Sequence, residues 1–411
     1  MLVQPITCYR PTPQAAPDFA ALPYDVFNRE EAAAYVASHP QSFLTIDRPE
    51  TAFGPDQDMY APEVYEKAGE LIRSKAYDGT LTKDQTPCFY LYRLTEGDKC
   101  QTGVVAACSV AEYENGTIAR HEKTRPSKTN DRARHIRATG AQTGPVFLAY
   151  RDNPVVDVIV DAARTADPLY DFTDEFGVRQ TVWRIARPIA VESLEAAFAM
   201  VPGAYIADGH HRASAAAQVC HELREESGTN EDLPSDSFLA VLFPASQLTV
   251  MAYNRVVADT NRLDEDSLLK AISQAGFEVG EPADHPVTPT DARSFGLYAF
   301  GKWRQITYVG EAPSAQVDPA GALDVSILQE HLLGPVLGID DPRTSKRITF
   351  VGGIEGTEGL ERRAGTTGIA FTLFPTTVDQ LMGVSDAGML MPPKSTWFEP
   401  KLRSGLFIRR I

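Results

Sequence analysis

The chain has 411 residues, 43% hydrophobic and 23% charged, a globular composition long enough for two or three cores. Its formal net charge of −16 makes the bulk surface repel nucleic acid and anionic membranes wherever no local basic patch overrides it. The five cysteines are scattered, with no C-x-x-C pair, which argues against a disulfide framework or structural zinc and fits a reducing cytoplasm.

From the N-terminus, residues 1–7 lack a charged region followed by an apolar run, so no signal peptide is expected, and no later stretch has the length of a membrane span. Proline-rich turns occupy 11–24, and Arg29 to Ser38 reads as a short helix. Pro62 to Lys75 reads as a second, with Val64, Ala68, Leu71 and Ile72 at helical spacing. Cys88 to Leu94 and Thr102 to Val110 read as strands around a Glu96-Gly97-Asp98 turn, and Asn115-Gly116 marks another turn. A polar, basic run follows from Arg120 to Arg132, with helix resuming near Asp131 and reaching about Ala138. Gly144 to Tyr150 and Val178 to Ile185 look like strands, and Ser193 to Met200 like a short helix. Ala204 to Ala207 reads as a buried strand that Asp208 and Gly209 break, and an alanine-rich helix follows at once. Leu239 to Phe243 and Leu248 to Asn254 read as further strands. Composition shifts near 258–263, where a second α/β unit begins. Helices are expected there over Leu263 to Ala275, Ser326 to Leu337 and Thr377 to Val384. Strands are expected over Phe295 to Phe300, Gln305 to Val309, Ile348 to Val351 and Ile369 to Phe374. No internal repeat stands out.

Three stretches carry chemistry. Asp208-Gly-His-His-Arg212 puts one acid, two imidazoles and one guanidinium where strand, tight turn and helix N-terminus meet. Helix-start amides and the positive end of the dipole favour an anion there. Arg212 adds a planar fork suited to phosphate or carboxylate. The bland alternative is a helix start capped by Asp208. Adjacent histidines seldom share one metal, and no H-x-x-x-H or H-E-x-x-H pattern is present, which weighs against zinc. The second stretch, His121-Glu122-Lys123-Thr124-Arg125, lies among Arg120, Lys128, Arg132 and Arg134. On an acidic chain such a patch suits an anionic ligand such as a nucleotide, and Glu122 is a candidate base tuned by flanking cations. The alternative is a solvated polar loop. The third runs from Met391 to Gly405, where Lys394, Lys401 and Arg403 alternate with Trp397 and Phe398. It reads as a rigid loop donating Lys394 to phosphate, or as a closing strand in which Trp397 fills a core gap. There is no P-loop, no G-x-G-x-x-G after a strand and no G-x-S-x-G elbow, and Gly352-Gly353-Ile-Glu-Gly356 reads as a turn.

Asp208-Gly-His-His-Arg-Ala-Ser-Ala215 resembles the D-G-H-H-R signature of free serine kinases in the ParB/sulfiredoxin-like superfamily. Gly209, Arg212 and Ala215 also match G-x-x-R-x-x-A, the phosphate-contacting box of ParB partition proteins. Over nearly its full length the chain resembles a large prokaryotic family known as domain of unknown function 1015. The matching pieces are Pro23-Tyr-Asp-Val26, Arg120 to Pro126, Asp131-Arg132, Gly144-Pro-Val146, Tyr205 to Arg212 and the run from Met391 through Gly405. The resemblance implies an α/β (α+β) fold with a ParB/sulfiredoxin-like nucleotide-binding core over 111–260. An N-terminal α/β unit over 1–110 and a C-terminal α/β unit over 261–411, whose last loop returns to the site, would flank it. It implies a nucleotide phosphate on the Asp208 to Arg212 turn and an upstream glutamate as base, by position Glu122. Sulfiredoxins carry a cysteine in the equivalent turn; His210 and His211 stand here instead, against sulfinic acid chemistry.

The expected activity is a small-molecule kinase passing phosphate from ATP or ADP to a hydroxyl, that of free L-serine, to give O-phosphoserine. The setting is the cytoplasm, without nucleic-acid or membrane partners, and a homodimer is one expected assembly. Glu122, Asp208 and His210 are expected to be catalytic. Gly209, His210, His211, Arg212, Lys123, Thr124 and Arg132 would hold the nucleotide, and His121, Arg125, Lys394, Ser395 and Trp397 the acceptor. Asp208 would ligate a Mg²⁺ that bridges phosphate oxygens. The alternatives are a non-catalytic nucleotide-binding regulatory protein and a metal-dependent hydrolase built on the histidine pair.

Overall fold

Residues 1–411, described by a computed structural model, form a mixed α/β protein. Contacts group the chain into two compact units. One comprises Met1–Arg120, Thr124–Leu248 and Pro400–Ile411, and the other His121–Lys123 and Thr249–Glu399. The sequence expectation of a boundary near residue 110 is not where contacts divide. The Lys99–Ser109 strand pairs antiparallel with Ser237–Pro244, so residues on both sides of 110 build one sheet.

That sheet has nine strands. Its order is Ile118–Ala119, Ala204–Asp208, Val146–Tyr150, Ser237–Pro244, Lys99–Ser109, Phe89–Glu96, Arg179–Ile185, Tyr170–Thr173, with Val3–Gln4 on the Lys99–Ser109 strand. Val146–Tyr150 runs parallel to Ser237–Pro244 and antiparallel to Ala204–Asp208. Every position of Ser237–Pro244 is buried, as a strand covered on both faces requires. Phe89, Leu91, Val104, Leu148, Ile206 and Phe238 share a core with Ala213, Ala216 and Ala217 of the His210–Ser227 helix. The other side of that helix, Ala215 and Val219, packs on Ala133 and Ile136 of the Pro126–Thr139 helix. Small side chains on both faces let one helix lie between a sheet and a second helix. A four-stranded sheet, in the order Leu81–Lys83, Cys8–Pro11, Ile408–Arg410, Ala141–Gln142, incorporates the end of the chain.

The second unit is built on a six-stranded antiparallel sheet in the order Phe277–Val279, Lys302–Tyr308, Ser294–Ala299, Ile369–Leu373, Tyr253–Val257, Ile348–Gly352. A two-stranded ribbon pairs Thr249–Met251 with Trp397–Glu399. Val256, Trp303, Val351, Leu360, Ala364 and Ala370 form a core cluster in this unit.

The Arg29–Ser38 helix carries an Asn28–Glu31 capping box, which fixes its start at the expected place. Two helices start earlier than the sequence reading has them, at Pro126 and at Pro188. Proline suits the first helical position because the amide it lacks has no intrahelical partner there. The expected strand over 248–254 is broken at Ala252, and its halves join different sheets. The expected helix over 326–337 is a short α-helix, Asp324–Leu328, continued by a π-helical turn, Gln329–Leu333. Pro154–Ala163, opened by an Asn153 cap and a proline, and Gly356–Ala364 are helices the sequence reading lacks.

Candidate functional site

The Ala204–Asp208 strand passes into the His210–Ser227 helix through a single residue, Gly209. Pairing register shifts between Ile206 and Asp208, an irregularity that re-aims the strand end. Gly209 has φ +93°, and a Cβ there would lie 2.9 Å from Arg212 Nε, so backbone and packing both require glycine. The cap position of the helix is Gly209, one residue after Asp208, and glycine has no side chain to bond the helix start. Asp208 Oδ2 accepts from Arg212 Nη2 at 2.7 Å, Arg212 Nη1 donates to the Pro145 carbonyl, and Lys401 Nζ lies 3.5 Å from Asp208 Oδ1. Both carboxylate oxygens therefore already face cations. A Mg²⁺ at Asp208, as the sequence leads one to expect, would share that carboxylate with Arg212 and Lys401.

The Arg125 amide donates to His211 Nε2 at 3.0 Å. An accepting Nε2 puts the His211 proton on Nδ1. This bond brings the basic run, through Thr124 and Arg125, to the turn. His210 is buried, His211 and Arg212 are half-buried, and Arg125 is exposed.

Behind Arg212 lies a small cavity lined by Tyr24, Asp47, Arg132, His135, Gly144 and Ser404, among others. It leaves about 30 Å³ in which water centres fit, room for a water or two and not for a nucleotide. Arg132 is committed inside this network. Its guanidinium lies 4.0 Å over the Tyr24 ring, 3.0 Å from Asp131 Oδ2, and donates to the Asp47 carbonyl at 3.3 Å. Burial opposes the Arg132 charge, but Asp131, Tyr24 and Asp47 together hold its pKa above the ordinary value. Burial, and then the Arg132 charge, push the His135 pKa down. His135 Nε2 lies 2.8 Å from the Ile46 carbonyl and so carries the proton of that bond. Tyr24, Asp47, Lys401 and Ser404 are site neighbours that the sequence reading did not assign. The signal for three of them lay in the Pro23 to Val26 and Met391 to Gly405 matches, where the double proline pointed to Lys394 rather than Lys401.

His121, Glu122 and Lys123 belong to the second unit. His121 is 2% exposed; its carbonyl accepts from the Met391 amide at 2.8 Å, and Nε2 lies 3.4 Å from Thr396 Oγ1. Lys394 is exposed with φ +58°, its Nζ 5.6 Å from the Tyr253 ring centre. Ser395 Oγ donates to the Pro392 carbonyl at 2.7 Å. Trp397 meets Tyr253 edge-on at 5.1 Å and packs on Gly352, where a Cβ would come within 2.8 Å of the indole. The expected site residues thus divide. Thr124, Arg125, Arg132 and Asp208 to Arg212 lie in the first unit, and His121, Glu122, Lys123, Lys394, Ser395 and Trp397 in the second.

No helix is long and apolar enough to cross a membrane. No curated protein matches the chain by sequence. Among solved structures, a free serine kinase variant in complex with AMP is similar at 13% identity and a TM-score of 0.38, over 75% of this chain and 91% of that one. SbnI with a C-terminal truncation, from Staphylococcus aureus, is similar at 12% identity and 0.38, over 74% and 87%. A conserved hypothetical protein from Pyrococcus furiosus is similar at 14% identity and 0.35, over 75% and 95%. TM-scores this low leave the reading of the site to its own residues. The sequence profile of the family described as protein of unknown function, DUF1015, matches residues 3–326, and the chain belongs to that family.

Proposed function

We propose that this protein is a nucleotide-dependent small-molecule kinase that phosphorylates a hydroxyl, with free L-serine as acceptor. The observation that carries the reading is the Gly209 turn at the head of an 18-residue helix, with Arg212 pinned between Asp208 and the Pro145 carbonyl. A fixed guanidinium, the Lys401 ammonium and the helix-start amides suit the terminal phosphates of ATP or ADP. The D-G-H-H-R resemblance supports the same assignment. Phosphoryl transfer asks chiefly for positioning and charge neutralisation. The phosphorus–oxygen bond to the departing nucleotide breaks as one to the serine oxygen forms, and the hydroxyl proton passes to a carboxylate. Glu122, three residues before Arg125 in the chain, is the proposed base. Asp208 orients Arg212, and His211, protonated on Nδ1, offers that N–H to a phosphate oxygen. His210 stays a proposed catalytic residue, with Lys123 and Thr124 as nucleotide contacts, on the sequence argument. On the same argument His121, Arg125, Lys394, Ser395 and Trp397 are the proposed acceptor contacts, with Lys394 also neutralising charge on the transferring phosphoryl group.

The purified protein, given ATP or ADP with a panel of hydroxy amino acids, is expected to form O-phosphoserine. Product formation is lost in Glu122→Ala and kept in Lys302→Ala, an exposed strand residue. Nucleotide binding with no product across the panel would sink the kinase and favour a non-catalytic nucleotide-binding regulator.

A further inference from the structure

Arg255, in the Tyr253–Val257 strand, is 4% exposed. Its Nη1 donates to the Tyr253 carbonyl at 2.6 Å, and its Nη2 to the carbonyls of Lys394 at 3.0 Å and Pro393 at 3.4 Å. The guanidinium carbon lies 4.5 Å from the centre of the Phe350 ring. No carboxylate offsets its charge. Burial pushes its pKa down to about 9, and Tyr253 is the one group acting the other way. A buried cation without an acid is strongly unfavourable. The charge therefore needs an account beyond tying down a loop.

Lys394 supplies it. Its φ of +58° is a conformation that residues other than glycine seldom adopt unless their surroundings impose it. Here the Lys394 carbonyl and the one before it are both held by Arg255. The ammonium end lies over Tyr253, whose own carbonyl Arg255 also holds. One guanidinium thus fastens both partners of the Lys394–Tyr253 contact and sets positive charge behind the loop.

We propose that Arg255 is a positioning residue that presets Lys394 as the contact for a phosphate-type oxyanion of the substrate. This rests on the reading of Lys394 as an anion contact. The test needs no turnover, so its failure is distinct from failure of the kinase reading.

The full-length protein is treated with an amine-acylating reagent, and modification of Lys394 is followed by peptide mass spectrometry against inorganic phosphate. Potassium chloride matches ionic strength, and exposed Lys302 serves as the internal control. Phosphate is expected to protect Lys394 but not Lys302 in the wild type. In Arg255→Gln the half-protecting phosphate concentration rises about tenfold. Arg255→Lys, which keeps the cation but cannot span the carbonyls, falls between the two. Should Arg255→Gln fail to fold by circular dichroism, Arg255→Lys and the wild-type protection decide. The proposal is overturned if phosphate leaves wild-type Lys394 unprotected, or if either folded variant is protected at the wild-type concentration.

Discussion

At the scale of single residues, the turn is fixed by one glycine and one arginine. Gly209→Ala places a methyl group against the Arg212 guanidinium at a φ of +93°. It is expected to destabilise the protein by roughly 1–3 kcal/mol in urea denaturation. Nucleotide affinity should fall with it, because Arg212 is the group displaced. An alanine variant with wild-type stability and binding would contradict the geometry. Arg212→Lys keeps the charge but cannot bond Asp208 and the Pro145 carbonyl together. Calorimetric titration with ATP or ADP should show affinity falling by about tenfold. The need for Gly209 and the polarity of the turn were legible in the sequence, because Asp-Gly between an apolar run and an alanine-rich run is a local signal. That Arg132 is committed to Asp131 and Tyr24 was not legible, since Tyr24 is brought to it from a distant part of the chain.

At the scale of elements, the His210–Ser227 helix owes its place to alanines on two faces. Ala216→Leu inserts bulk where Ala216 is 3% exposed, and a loss of about 1–3 kcal/mol is expected in the same denaturation assay. The short Asp324–Leu328 helix gives a pH dependence. Burial pushes the Asp324 carboxyl from 3.8 up to about 6, although the Arg293 amide donates to both its oxygens at 2.9 and 3.0 Å. Between those two values the folded protein holds more protons than the unfolded chain, so this group's contribution to stability falls as pH rises from about 4 to 6 and is level above. Asp324→Asn should therefore be the more stable protein at pH 7, by on the order of 1–3 kcal/mol. The advantage should disappear near pH 4, and urea midpoints at the two pH values measure it. The Pro126 and Pro188 helices start earlier than the sequence predicts, because hydrophobic periodicity becomes visible only after the first turn.

At the scale of the whole molecule, the chain's last residues complete its first unit. Ile408–Arg410 lies between Cys8–Pro11 and Ala141–Gln142. Buried Arg409 donates to the Ser237 and Pro234 carbonyls at 3.0 and 2.8 Å and to Gln142 Oε1 at 3.2 Å. Deleting Pro400–Ile411 removes an inner strand, this hydrogen-bonded arginine and Lys401 together. The truncated protein is expected to lose its cooperative thermal transition, where a wild-type melting curve would show the tail to be dispensable.

The sequence by itself determined what neighbouring residues determine. It set the strand–glycine–helix turn, the starts of the Arg29 and Pro62 helices, the hairpin strands and the acidic surface broken by one basic run, because backbone sterics and side-chain periodicity act within a few residues. Only the tertiary structure decided which distant groups share a site. It set Lys401 beside Asp208, 193 residues away, and joined the Arg125 amide to His211. It assigned His121–Lys123 of the basic run to the second unit and the rest of that run to the first, and put Arg255 behind Lys394. Those juxtapositions follow from sheet order and from burial, and no local pattern encodes either.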